Sequence, residues 1–116
     1  MKIRERQAGD ITILDVEGRI LYADGEEYFR DAVTRVVESG RVKLVINMTE
    51  VPYIDSAGIT QLVRTFATTG KRAGGMRLFG LSEKVRELLN ITRLLAVFQA
   101  FDSEEEAIAS LGATPS

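Results

Sequence analysis

The segment Val51-Pro52-Tyr53-Ile54-Asp55-Ser56-Ala57-Gly58-Ile59-Thr60-Gln61-Leu62 joins the most apolar run of the chain to a helical pattern. Just before it, Val42, Leu44, Val45, Ile46 and Met48 form a short, nearly continuous apolar run rich in β-branched residues. That composition favours a strand buried on both faces over a helix. Residues 49–56 read as the loop leaving it. Beyond the loop, Ile59, Leu62, Val63, Phe66 and Ala67 fall at i, i+3, i+4, i+7 and i+8, the spacing of a core-facing helix. Gly70 and the Gly74-Gly75 pair are expected to break it. A buried strand feeding a helix is the repeating unit of a parallel α/β sheet.

The same unit extends in both directions. Upstream, the charged stretch Lys2 to Gln7, the Gly9-Asp10 turn signal and the alternating stretch Ile11 to Glu17 read as a hairpin. The charge on its first strand suits a sheet edge, where it discourages pairing with another chain. Asp24-Gly25-Glu26-Glu27 opens a helix with Asp24 as cap; Tyr28, Phe29, Ala32, Val33, Val36 and Val37 form its apolar face, and Gly40 ends it. Downstream come a strand over Met76 to Gly80 and a helix capped by Ser82 with Val85, Leu88 and Leu89 inward. A last strand follows over Val97 to Phe101, then a helix opened by Ser103-Glu104-Glu105-Glu106 with Ala107, Ile108 and Leu111 buried. The order is β-β-α-β-α-β-α-β-α. It predicts one α/β domain over residues 1–112: an N-terminal β-hairpin, then alternating β/α units, in a mixed sheet with helices packed against it. Residues 113–116 are expected to fray.

Composition narrows the function. A chain of 116 residues suits one domain with its own core. It has no cysteine and no histidine, so thiolate and imidazole nucleophiles, acid/base groups and metal ligands are all missing. The expectation is a protein that is not an enzyme and uses no cofactor or metal. A net charge of −2 lacks the basic footprint of a nucleic-acid binder. The charged start Met1-Lys2-Ile3-Arg4-Glu5-Arg6 is no signal peptide, and no apolar run approaches the ~20 residues that span a bilayer. A cytoplasmic protein without membrane insertion is expected, and a monomer is the simplest state.

The 51–62 segment also lies where chemistry collects in open α/β sheets, at the carboxyl end of a strand. Asp55 or Ser56 reads as an N-cap, the usual task of such residues there. A second reading is a serine hydroxyl exposed at a helix N-terminus and open to modification. Gly58 costs about 1 kcal/mol in a first helical turn relative to Ala, which suggests that another backbone or a bulky group comes close. A serine hydrolase is excluded: Ile54 stands where the elbow pattern needs glycine, and there is no histidine. Asp24-Gly25-Glu26-Glu27 lacks the spaced carboxylates of a calcium loop. Asn90-Ile91-Thr92 matches a glycosylation sequon without a secretory signal. Lys71, Arg72 and Arg77 read as solvated surface.

Ile54-Asp55-Ser56-Ala57-Gly58-Ile59 resembles the signature of anti-sigma factor antagonists in the STAS domain family. The likeness spans almost the whole chain. Gly18-Arg19-Ile20 looks like the family's first landmark, Leu44-Val45-Ile46-Asn47-Met48 with Val51 like its central strand, Gly80-Leu81-Ser82 through Val85, Leu88 and Leu89 like its third helix, and Phe101-Asp102-Ser103-Glu104-Glu105-Glu106-Ala107 like its closing segment. The resemblance implies that Ser56 is phosphorylated by a partner, an anti-sigma factor with serine kinase activity. The unmodified chain would bind this kinase and the phosphorylated chain would leave it, with a phosphatase resetting the switch. Asp55, Ser56, Ala57, Gly58, Ile59, Thr60, Leu21 and Tyr22 are then the expected partner-binding residues. Asp55 either orients the hydroxyl, helps the kinase's metal or caps the helix. Two departures stand out. Leu21 and Tyr22 occupy positions where many relatives carry a polar residue, and Ala57 replaces a second hydroxyl residue, leaving Ser56 alone in the motif with Thr60 as the lesser acceptor. Two other readings are a STAS interaction subunit of a transporter or sensory assembly, and a nucleotide or small-molecule sensor using the anion-friendly helix N-terminus.

Overall fold

The computed structural model describes residues 1–112. The expected frayed tail, residues 113–116, lies outside the described residues. Five strands, β1 (Lys2–Ala8), β2 (Ile11–Glu17), β3 (Lys43–Glu50), β4 (Gly75–Phe79) and β5 (Ala100–Phe101), form one sheet in the order β1-β2-β3-β4-β5. Only β1 and β2 are antiparallel; the other neighbours run parallel. The helices are α1 (Glu26–Glu38), α2 (Ser56–Lys71), α3 (Glu83–Ile91), α4 (Leu95–Phe98) and α5 (Glu104–Ser110). The α/β architecture expected from sequence is the one observed.

Strand alternation divides the core in two. Leu14, Val16, Leu44, Ile46, Met48, Met76 and Leu78 meet side chains of α1, α2, α3 and α4 on one face. Ile11, Ile13, Val45 and Phe79 meet Ala107, Ile108 and Leu111 around α5 on the other. Central β3 therefore feeds both clusters, which is why its sequence is almost continuously apolar. On the α5 face, Arg6 bridges Asp15 at 2.7 Å and Glu104 at 2.7 Å, tying the hairpin to the last helix.

Several elements differ from expectation. Asp24 does not cap α1: the cap residue is Gly25 with φ 100°, and the Asp24 carboxylate instead accepts from Arg19 at 3.1 Å. A Cβ on Gly25 would lie 2.1 Å from the Arg19 carbonyl, so the cap position is dictated by close approach. Tyr28 is exposed. β3 runs on to Glu50, and Gly70 lies inside α2 rather than ending it. The buried face of α2 is Gly58, Gln61, Leu62, Thr65 and Thr69, while Val63 and Ala67 are exposed. Polar residues can face the core because their groups are satisfied. Thr65 and Thr69 donate to carbonyls one turn back at 2.8 Å each, and the Gln61 amide donates to Glu26 at 2.6 Å. The expected strand over Val97 to Phe101 is split: Val97 and Phe98 end the short helix α4, which buries Phe98 against tilted Phe66, Gln99 turns the chain, and only Ala100 and Phe101 are strand. Arg77 is not solvated surface: it is half-buried and donates to Ser110 at 2.9 Å, with burial lowering its pKa.

Candidate functional site

Two chain segments meet at the carboxyl edge of the sheet. After β3 the chain turns at Val51, whose N–H donates to the Met48 carbonyl at 3.0 Å, and then runs through Tyr53 and Ile54 into α2. After β2, Gly18 donates to the Glu50 carbonyl at 3.0 Å and the chain comes alongside. Ile20 forms a parallel bridge with Ile54; its N–H donates to the Tyr53 carbonyl at 3.3 Å and its carbonyl accepts from Asp55 at 3.4 Å. Ile20 and Ile54 are both fully buried, so apolar contact fixes this pairing below the surface.

Gly58 makes the approach possible. A Cβ there would stand 2.5 Å from the Ile20 carbonyl oxygen and 2.9 Å from the Ile54 Cβ. The helix-disfavouring glycine marks the backbone contact that its sequence position suggested.

Asp55 is the N-cap of α2. Its Oδ1 accepts from Ala57 and Gly58 N–H at 2.9 and 3.2 Å, and its Oδ2 accepts from Tyr22 N–H at 3.0 Å. Both carboxylate oxygens are therefore engaged. The Tyr22 N–H above all, with those of Gly58 and Ala57, holds the carboxyl below the usual carboxylate range against the opposing effect of burial. Asp55 is anionic at neutral pH.

Ser56 is the first residue of α2 and is exposed. Its backbone carbonyl accepts the Thr60 hydroxyl at 2.9 Å, which orients Thr60 along the helix. Ala57 and Ile59 are half-buried, Ile59 against the main core, and Gly58 is buried. Leu21 and Asp24 exchange backbone hydrogen bonds at 2.9 Å in both directions, closing a tight turn with Tyr22 and Ala23 at its tip. Ala23 sits at φ 63°, and Tyr22 is 77% exposed. The structure thus brings Leu21 and Tyr22 beside the Asp55-to-Thr60 segment. The sequence gives no sign of the Asp55 to Tyr22 bond, because its donor is a backbone N–H that any residue would provide. Tyr53, 43% exposed, is a third surface group of this edge that periodicity did not single out. No group of three or more His, Cys, Asp or Glu that could hold a metal ion occurs among the described residues.

Ser56 thus stands at the start of α2, beside the carboxylate that caps the helix and the turn that this carboxylate ties down. The STAS domain model matches residues 2–107, and the chain belongs to the STAS domain family, in its anti-sigma factor antagonist type. It is 33% identical over 110 residues to an anti-sigma-B factor antagonist of Listeria monocytogenes, covering 91% of each chain. Its fold matches the crystal structure of an anti-sigma factor antagonist from Mycobacterium paratuberculosis with TM-score 0.85 at 20% identity, over 96% of this chain and 93% of that one. It also matches the Bacillus cell fate determinant SpoIIAA in its phosphorylated form, with TM-score 0.72 at 18% identity, over 94% and 98% of the two chains. No described helix is long and apolar enough to cross a membrane.

Proposed function

We propose that this chain is an anti-sigma factor antagonist that switches partners through Ser56. Unmodified, it binds an anti-sigma factor with serine kinase activity and so frees a sigma factor. The kinase then transfers the γ-phosphoryl group of ATP to Ser56: the Oγ–P bond forms, the bond to the ADP leaving group breaks, and the hydroxyl proton passes to a base of the kinase. The phosphorylated chain leaves, and a phosphatase resets it. Asp55, Ala57, Gly58, Ile59, Thr60, Leu21 and Tyr22 form the docking surface around that hydroxyl. The chain acts as substrate and binder, as a monomer in the cytoplasm.

One observation carries this reading: Ser56 is an exposed residue on the first turn of α2, while its neighbour Asp55 already occupies the Ala57 and Gly58 N–H groups. A phosphoryl group on Ser56 adds about −1.5 to −2 charges. It gains the helix dipole, worth ~0.3–1 kcal/mol at exposed sites, and is opposed by the Asp55 carboxylate. The fold tolerates it. A packed interface does not: an uncompensated buried charge costs about 3–5 kcal/mol, and each ~1.4 kcal/mol is tenfold in affinity.

Incubation with an anti-sigma kinase, ATP and Mg²⁺, followed by phosphosite mapping, tests the proposal. Label on Ser56 that disappears in Ser56→Ala is expected. Stoichiometric label elsewhere, Thr60 included, overturns the assignment of Ser56.

A further inference from the structure

Away from the Ser56 surface, α1 and α2 line a cavity of about 110 Å³ that nothing above uses. Three guanidinium side chains, Arg30 from α1 and Arg64 and Arg72 from the α2 side, line it together with the Glu38 carboxylate, and the carboxylates of Glu26, Glu27 and Asp31 stand near Arg30 outside the lining. Val33 and Val37, both buried, contribute its apolar floor, and the exposed Thr34 and Thr68 add hydroxyl groups to its walls.

The arginines differ in how far they are already committed. Arg72 donates to the Val37 carbonyl at 3.3 Å, so its charge is anchored where α1 ends. Arg30 has three carboxylates near it, Glu26, Glu27 and Asp31, but at 3.8, 3.7 and 3.6 Å. These are long beside the 2.7 Å that Arg6 achieves elsewhere in the molecule, and outside the ~2.7–2.9 Å of a charge-assisted hydrogen bond. Arg64 makes no ion pair among the described residues. Planar guanidinium groups with free donors suit a tetrahedral oxyanion, which they bind in a bidentate manner. A cavity of this size holds a few waters, and so one such group rather than a nucleotide or a peptide.

We propose that the α1/α2 cavity is a binding site for a phosphoryl group, either free phosphate or the head of a phosphate monoester, held by Arg64 and Arg30 with Thr34 and Thr68 as neutral partners. Arg72 supplies fixed positive charge at the lower end. The site is separate from Ser56 and does not depend on its modification.

The test is an NMR titration of the ¹⁵N-labelled full chain at neutral pH with inorganic phosphate, with phenyl phosphate and, at matched ionic strength, with sodium chloride. Saturable shifts centred on residues 30–38 and 61–72, absent with chloride, are expected, with at least tenfold weaker binding in Arg64→Gln and in Arg30→Gln. Tighter binding of phenyl phosphate identifies a monoester as the ligand, and equal or weaker binding identifies free phosphate. Shifts that stay linear, that chloride reproduces, that centre on Ser56 to Gly58, or that survive both substitutions overturn the proposal. Both arginines are surface residues, and the spectrum of each variant without ligand verifies its fold.

Discussion

Tyr22 and Asp55, 33 residues apart in sequence, are joined by one hydrogen bond of 3.0 Å from the Tyr22 N–H to the Asp55 carboxylate. The same carboxylate caps α2, so one side chain both starts the helix that carries Ser56 and fixes the turn that displays an exposed tyrosine. This bond ties the Leu21 to Asp24 turn to the start of α2, and a contact made before a partner arrives lowers the ordering cost of binding.

That double role separates two substitutions. Asp55→Ala removes the cap and the Tyr22 link and is expected to cost about 1–2 kcal/mol in urea unfolding. Asp55→Asn keeps an oxygen for Ala57 and Gly58 but turns an amide toward the Tyr22 N–H. It is expected to cost less than Asp55→Ala while speeding hydrogen exchange at the Tyr22 amide. Equal exchange in wild type and Asp55→Asn would show that the turn does not depend on this bond.

Two glycines of α2 predict opposite signs. Gly58→Ala forces a Cβ onto the Ile20 carbonyl and is expected to destabilise by about 1–3 kcal/mol despite the better helix propensity of alanine. Gly70→Ala meets nothing within 4 Å and is expected to stabilise by up to about 1 kcal/mol. Shifts of the urea midpoint in opposite directions check the pair.

Acid sensitivity follows from Asp15. Its carboxylate accepts from Arg6 at 2.7 and 2.8 Å and from Asn47 at 2.9 Å, and these bonds hold its pKa below the usual carboxylate range against the opposing effect of burial. The folded pKa lies below the unfolded value of about 3.9. The unfolded chain therefore binds more protons between the two values, and stability rises with pH there. The contribution is complete above the unfolded pKa and is lost as pH falls through the folded one. Asp55 adds a change of the same sign. Unfolding free energies measured from about pH 5 downward are expected to show the gap between wild type and Asp15→Asn narrowing with acidity. A gap independent of pH would contradict this.

Phosphorylation of Ser56 is expected to leave the fold nearly unchanged. The dipole at the start of α2 and the adjacent Asp55 carboxylate act in opposite directions, so the urea midpoints of modified and unmodified chains are expected to agree within about 1 kcal/mol. Loss of cooperative unfolding on modification would mean that the switch works by unfolding.

The order of elements as far as α3 and the place of Ser56 at the start of a helix were legible in the sequence because each rests on strong local patterns: the apolar run of β3, the turn at Gly9-Asp10, and Asp-Ser before a helical stripe. The face of α2 was not. Thr65 and Thr69 read as polar, yet they are buried because each hydroxyl finds a carbonyl one turn back. Val97 to Phe101 has strand composition, but Gln99 adopts φ 54° after one short helical turn that delivers Phe98 to the core. Asp24 carries the composition of a cap, but the approach of the Arg19 carbonyl gives that position to Gly25. Residue type alone predicts none of these, because a hydrogen bond within the helix, a close backbone approach or a core contact decides each.

The central claim is tested most directly by the affinity of the chain for an anti-sigma kinase, measured by calorimetry before and after complete phosphorylation of Ser56. A loss of at least a hundredfold, with Ser56→Ala still binding, is the predicted result. Equal affinity of the modified and unmodified chains would contradict the account.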